Sequence, residues 1–308
     1  MTARTVLITG GTGSLGYRAA EAILRADRGW CVVITGRNAA TVEDTARRLG
    51  SDAIGLQLDL ASLETVREFA DKFSTNGLPP LHAIVCNAGI QIVSGTRSTV
   101  DGFEETFAVN HLAHLLLVRR LLPRMATPGR VVFVASDTHD PTKPTGMPAP
   151  AYTTAADLAH PTATDPEGTG PSGRRRYTTS KLCNVLTAYE LARQLDTGPY
   201  PAITSNAFDP GLMPGTGLGR DYHGIQGWAW RNLLPSLTVV PGLNIHTPRR
   251  SATALARLIL DPELEGITGG YFSGRRRIAS SADSYDRKKA TDLWTTSNKL
   301  VGQSATLA

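Results

Sequence analysis

Cysteine is scarce in this chain. Cys31, Cys86 and Cys183 stand apart in 308 residues, odd in number and without a CxxC pair, which excludes a disulfide framework and a cysteine-held zinc site and leaves buried thiols. Histidine gives no metal pattern either. His111 and His114 form one HxxH, but no carboxylate or third histidine stands beside them as metal motifs require, so no metal is expected. Long apolar runs are missing, none approaching the roughly 18 residues of a membrane span, and MTARTVLITG enters a β-branched run with no charged-then-apolar leader. These absences predict a cytoplasmic protein without a membrane span. Acidic excess is lacking too. The net charge is +5, and the runs Arg174 to Arg176 and Arg275 to Arg277 raise nucleic acid as a partner. The two runs lie far apart and carry none of the interleaved aromatics of a single-strand platform, so they are taken as solvated faces and no nucleic-acid partner is expected.

What the chain does have is alternation. TVLIT (5–9) is a short apolar run followed by glycines and by GYRAAEAILRA, whose apolar residues recur at helical spacing. CVVIT (31–35) precedes a helix to about Leu49, and IGLQL (54–58) precedes SLETVREFADKF, with Ser62 as its cap. LHAIVC (81–86) leads through a loop into a long helix beginning near Asp101, and RVVFVA (130–135) is a further strand. Continuous apolar strands alternating with amphipathic helices suit a parallel sheet covered on both faces. The expected fold is therefore α/β, a doubly wound parallel sheet of Rossmann type in a single domain over residues 1–308, with a C-terminal helical extension at about 283–302. A closed (β/α)8 barrel alternates in the same way but gives no reason for glycines after the first strand.

Two stretches break the rhythm, 137–173 with seven prolines and 209–248 with five. Loops of that length are commonly lids or binding loops. Both follow strands, at whose carboxyl ends an open α/β sheet binds its ligands. Leu212, Met213, Trp228, Trp230 and Leu233 offer an apolar lid, which suits a fairly large apolar small molecule as substrate.

In TGGTGSLG (9–16), Gly11, Gly13 and Gly16 satisfy GxGxxG between a predicted strand and a predicted helix. There the glycines allow a tight turn and close backbone approach, and the helix N-terminus stabilises a pyrophosphate. Gly10, Thr12, Gly13, Ser14, Leu15 and Gly16 are the candidate residues of a dinucleotide site. Dinucleotide folds that select NAD carry an acid about 20 residues beyond the glycines. Thr35, Gly36, Arg37 and Asn38 offer none, and Arg37 can pair bidentately with a 2′-phosphate. NADP is expected rather than NAD.

In RRRYTTSKLCN (174–184), Tyr177 and Lys181 are four apart and share a helix face. A nearby cation favours a phenolate, which makes such a pair a usable acid and base. The spacing alone does not single them out, because Tyr285 and Lys289 repeat it.

The order of the motifs does single them out, and here the chain resembles the short-chain dehydrogenase/reductase family along almost its whole length. After the glycine turn come Asp59 and Leu60 in LDL, Asn87, Ala88 and Gly89 in CNAG, and Asn110 in AVNHL. Ser136 in VFVAS, Tyr177 and Lys181 in YTTSK, and Pro210 and Gly211 in DPG follow. Within the family, NHLAHLLL, SKLCN, LWTTSNKLVG and the long stretch between Ser136 and Tyr177 are most similar to the branch of retinol dehydrogenases and light-dependent protochlorophyllide reductases. The glycine turn departs from that branch, following TGxxGxxG where the branch has TGxxxGxG.

The resemblance implies an NADP-dependent oxidoreductase. Hydride passes from NADPH to a ketone or aldehyde, or back from the alcohol, with Tyr177 as proton donor and Ser136 as hydrogen-bond donor to the oxygen. It further implies that Lys181 holds the nicotinamide ribose and that Asn110 anchors a proton-relaying water. Asp59 and Leu60 would meet the adenine, Asn87 to Gly89 would wall the cofactor pocket, and Pro210, Gly211 and Thr216 would approach the nicotinamide. Cys183 has a counterpart in the reductase branch that suggests a place facing substrate. Family members pair through helices here at about 178–196 and 248–261, which implies a homodimer or homotetramer unless the C-terminal extension covers that surface. Light-dependent reduction of a tetrapyrrole C=C bond and a non-catalytic NADP-binding regulator are the alternatives.

Overall fold

The computed structural model describes residues 4–27, 29–73, 75–93, 95–161, 170–213 and 244–307. Its strands are β1 Arg4–Ile8, β2 Trp30–Gly36, β3 Ala53–Gln57, β4 Leu81–Cys86, β5 Met125–Val134, β6 Ile203–Asp209, β7 Tyr271–Ser273 and β8 Arg276–Ile278. They form one sheet in the order β3-β2-β1-β4-β5-β6-β7-β8, parallel throughout except for the β7–β8 hairpin. The open order excludes a closed barrel and makes the fold a doubly wound Rossmann sheet. The strand order reverses beside β1, where β2 lies on one side and β4 on the other, and a crevice opens there beyond the carboxyl ends.

Alternate side chains of each strand enter opposite layers, which is why the strands are continuous apolar runs. Leu7, Val33, Ile84, Val131 and Phe133 pack with α3 (Leu63–Phe73), α5 (Ala113–Leu121) and α7 (Gly170–Thr197). Val6, Ile8, Val32, Ile34 and Val132 pack on the other side with α1 (Ser14–Ala26), α2 (Ala39–Leu49) and α8 (Pro248–Leu260).

The helix expected near Asp101 begins later. Its first turn is α4 (Glu105–Phe107), followed by a π-helical turn over Ala108–Leu112 that runs into α5. Glu104 Oε2 accepts from Phe107 N at 2.6 Å and caps α4, while Asp101 Oδ2 accepts from Leu63 N at 2.9 Å and so serves the start of α3. A capping acid aimed at a distant helix leaves no local mark in the sequence.

The stretch 137–173 is not a loop throughout. It holds a 3-10 turn at Asp137–His139 and α6 (Ala155–Ala159), capped by Thr154, and α7 already begins at Gly170. Of the 209–248 stretch, Thr216, Trp228, Trp230 and Leu233 lie outside the described residues.

The C-terminal extension is a 3-10 turn at Ala282–Tyr285, α9 (Arg287–Leu300) and a tail. α9 packs on α7, α6 and α5. Trp294 Nε1 donates to Ala305 O at 2.7 Å, and Arg119 Nη2 donates to the carbonyls of Ser304 and Thr306. As a result every residue of α7 from Tyr177 to Ala192 is buried within one chain, which covers much of one of the two helices through which pairing was expected. Trp294→Ala, which removes the largest side chain beneath the tail, is expected to lower unfolding free energy by about 3–5 kcal/mol in urea titrations.

Candidate active site

The glycine turn is packed against the strand beside it. Gly10 has φ +66°, and a Cβ there would stand 2.9 Å from Ala88 Cα, while a Cβ on Gly16 would stand 2.6 Å from Gly10 O. Thr9 closes the contact, because its Oγ1 accepts from Asn87 N at 2.9 Å and Ala88 N at 3.0 Å, and Asn87 Nδ2 donates to Thr9 O at 2.7 Å. α1 starts at Ser14 with no capping side chain on Gly13 and no acid in its first turn. Its first N–H groups thus keep the partial positive charge that suits a bound phosphate.

A cavity of about 920 Å³ runs along the carboxyl ends of the strands. Gly10, Thr12, Gly13, Ser14, Leu15, Gly16 and Arg37 line one end. Asp59, Leu60, Asn87, Ala88 and Gly89 follow, and Ser136, Tyr177, Lys181, Pro210 and Gly211 line the other end. The residues present fit a dinucleotide: a turn with no room for a Cβ at Gly10, Gly11 or Gly16, an uncapped helix start, and Arg37 with no acid from Thr35 to Asn38.

Asn110 does not line this cavity but sits one layer behind it, fully buried. Its Oδ1 accepts from Ile90 N at 2.8 Å, and its Nδ2 donates to Ile90 O at 2.9 Å and Ser180 Oγ at 3.0 Å. Ser180 Oγ in turn donates to Tyr177 O at 2.7 Å. The π turn therefore ties the loop after β4 to the helix of Tyr177. The main-chain oxygen of Asn110 lies 3.2 Å from His114 Nδ1, and His114 Nε2 lies 2.8 Å from Thr9 Oγ1. Burial pulls His114 down to about 4, so its ring is neutral, donating from Nδ1 to the carbonyl and accepting at Nε2 from Thr9. The other histidine of the HxxH is engaged elsewhere, with Ser297 Oγ at 2.9 Å from Nε2 and Thr187 Oγ1 at 3.3 Å from Nδ1 of His111.

Lys181 Nζ donates to Val134 O at 3.0 Å and stands 5.5 Å from the ring centroid of Tyr177. Both residues are buried. Burial pulls the Lys181 ammonium down to about 8, against the field of Asp209, which favours the charged form. The second Tyr/Lys pair is not assembled in this way. Tyr285 is 54% exposed, its hydroxyl accepts from Ser280 N and its ring stacks on Tyr189, while Lys289 Nζ pairs with Asp283 at 3.0 Å. Neither Tyr285 nor Lys289 lines the cavity.

Ser136 lies two residues past β5 and caps the 3-10 turn, and its Oγ accepts from Thr138 N at 3.3 Å and lies 3.2 Å from Asp137 Oδ1. Among the cavity residues that escaped the sequence reading are Asp137, Asp209 and Asn244, whose Nδ2 reaches both acids. The acids adjoin named motif residues and were findable by that adjacency. Asn244 had no such signal. Of the two readings of Cys183, the structure has the buried thiol and not the substrate-facing residue: it lies fully buried in the core and does not line the cavity, and burial pushes its thiol up. The first arginine run contributes Arg176, which pairs with the buried Glu104 at 3.4 Å, and the second sits on the β7–β8 hairpin, away from the cavity.

A buried ammonium lowered from 10.5 to about 8 destabilises the fold while it is charged. Below pH 8 the penalty is fully present, and it disappears as pH rises toward 10.5, where the unfolded chain also loses the proton. Lys181→Met is therefore expected to be more stable than wild type at pH 7, by on the order of 3 kcal/mol, with the gain shrinking across that window in melting experiments.

Comparison with known proteins agrees with this geometry. The family model for short chain dehydrogenase matches residues 4–155. Human polyprenol dehydrogenase is 31% identical over 97% of this chain and 85% of its own length. Chloroplastic protochlorophyllide reductase A of Oryza sativa subsp. japonica is 32% identical over 96% of this chain and 80% of its own length. Among solved structures, an uncharacterized protein from Mycobacterium paratuberculosis superposes with a TM-score of 0.71 at 27% identity, covering 99% of this chain and 95% of that one. Fold, motif order and relatives agree: this chain belongs to the short-chain dehydrogenase/reductase family of oxidoreductases.

Proposed function

We propose that the protein is an NADPH-dependent carbonyl reductase, equally an alcohol dehydrogenase in the reverse direction, for a fairly large apolar small molecule. The observation that carries this reading is the buried pair at the cavity's inner end, with the Lys181 ammonium 5.5 Å from the Tyr177 ring. When bound, the nicotinamide supplies the hydride.

The chain's own residues supply the rest. Tyr177 gives its phenolic proton to the carbonyl oxygen, and Ser136 donates a hydrogen bond to the same oxygen as negative charge develops there. The Lys181 charge stabilises the phenolate left behind. Arg37 takes the 2′-phosphate that distinguishes NADP from NAD, and the uncapped start of α1 takes the pyrophosphate. Asn110 acts from behind the cavity, holding the Tyr177 helix against the loop after β4. Ile90, Met147, Leu212, Met213 and Ile245 give the substrate end apolar walls, and the similarity to a polyprenol dehydrogenase supports an apolar substrate.

NADPH oxidation over a panel of bulky ketones, aldehydes and quinones tests the reading. Turnover by wild type is expected to fall at least about a hundredfold in Tyr177→Phe and to be unchanged in Tyr285→Phe. Equal turnover in Tyr177→Phe and wild type would remove the proposed proton donor.

A further inference from the structure

Two carboxyls, the buried Asp209 and the half-buried Asp137, meet at one amide near Ser136. Asn244 Nδ2 donates to Asp137 Oδ2 at 2.8 Å and to Asp209 Oδ2 at 2.9 Å, so both acids are within reach of one nitrogen. His246 Nε2 lies 3.2 Å from Asn244 Oδ1. With its N–H groups toward the acids, the amide presents to His246 an oxygen that can only accept, so Nε2 is the donor there.

The acids are held differently. Asp209 is 1% exposed and accepts from Gly211 N at 2.8 Å and Ser273 Oγ at 2.9 Å as well as from Asn244. These three donors surround the Asp209 oxygens, and Lys181 feels its field. Asp137 has Asn244 on Oδ2 and Ser136 beside Oδ1. Among the described residues, the titratable groups that act on Asp137 are Asp209 from β6, His139 from the turn after β5, His246 ahead of α8 and Tyr271 from β7. Burial, then the Asp209 charge, pushes the Asp137 carboxyl up. Burial also holds His139 and His246 below the ordinary imidazole range, so neither supplies a compensating charge at neutral pH.

Counting hydrogens on Ser136 shows why this matters. A hydroxyl has one donor and two acceptor sites, and Ser136 Oγ already accepts from Thr138 N. Beside an ionised Asp137 the serine would direct its only proton to Oδ1 and have none for a substrate oxygen. A proton on Asp137 Oδ1 reverses that bond: the carboxyl donates to Ser136 Oγ, both acceptor sites are filled, and the serine hydrogen is free to turn into the cavity. Two like charges this close also oppose double ionisation, and such a pair titrates as a unit.

We propose that the Asp137–Asp209 pair holds one proton, on Asp137, and that Asp137 is a positioning residue which keeps Ser136 a hydrogen-bond donor toward the substrate. The inference rests on the reading of Ser136 given above, but its decisive test needs no turnover. Infrared spectra of protein with isotopically labelled aspartate carboxyls keep the buried Glu104 out of the signal. The carbonyl stretch of a protonated aspartic acid is expected at pH 7 in wild type and is expected to vanish in Asp137→Asn. No such band in wild type, or a band that survives Asp137→Asn, overturns the proposal, and the wild-type spectrum alone suffices if the variant is unstable. In turnover assays Asp137→Asn, whose amide can still donate to Ser136, is expected to keep a kcat about tenfold above that of Asp137→Leu. Equal kcat in the two variants also overturns it.

Discussion

An ammonium group with 3% of its residue surface exposed constrains everything around it. A charge taken out of water must be paired or hydrogen-bonded. Lys181 finds the carbonyl of Val134 at the end of β5, the face of the Tyr177 ring and the field of Asp209 at the end of β6. The buried position keeps the ammonium near its own titration at mildly alkaline pH. An exposed lysine would hold its proton to higher pH and would act on Tyr177 through water, which weakens the interaction.

The same helix is fixed from three sides. The sheet lies under it, the π turn of Asn110 joins it to the loop after β4, and α9 with the C-terminal tail covers it from outside. His114 extends the network to Thr9 and thence to the glycine turn, so the two ends of the cavity share one buried hydrogen-bond web. Such webs are rigid when every member is satisfied. Rigid placement is what separates Tyr177 and Lys181 from Tyr285 and Lys289, whose spacing is identical but whose surroundings are a solvated turn.

The strands were the most legible part of the sequence, because burial on both faces produces uninterrupted apolar runs such as LHAIVC and RVVFV. The cavity's cofactor end was legible as well, since the glycine turn and CNAG are consecutive residues whose roles are local. Long-range partners were not. Asp101 caps α3 across 38 positions and Asn244 joins acids at 137 and 209, distances at which no periodicity carries information. Asn110 was found by motif, yet its place behind the cavity, and the burial of Cys183 away from it, depend on how helices rotate against the sheet. That rotation is set by packing and not by spacing alone.

A crystal structure with NADPH is the most direct test of the central claim, that this cavity holds a dinucleotide with its reactive ring at the Tyr177–Lys181 pair. The account requires the 2′-phosphate at Arg37, the pyrophosphate at the start of α1 and the nicotinamide ribose within hydrogen-bond reach of Lys181 and Tyr177. Cofactor bound elsewhere, or bound here with its nicotinamide away from Tyr177, would contradict it.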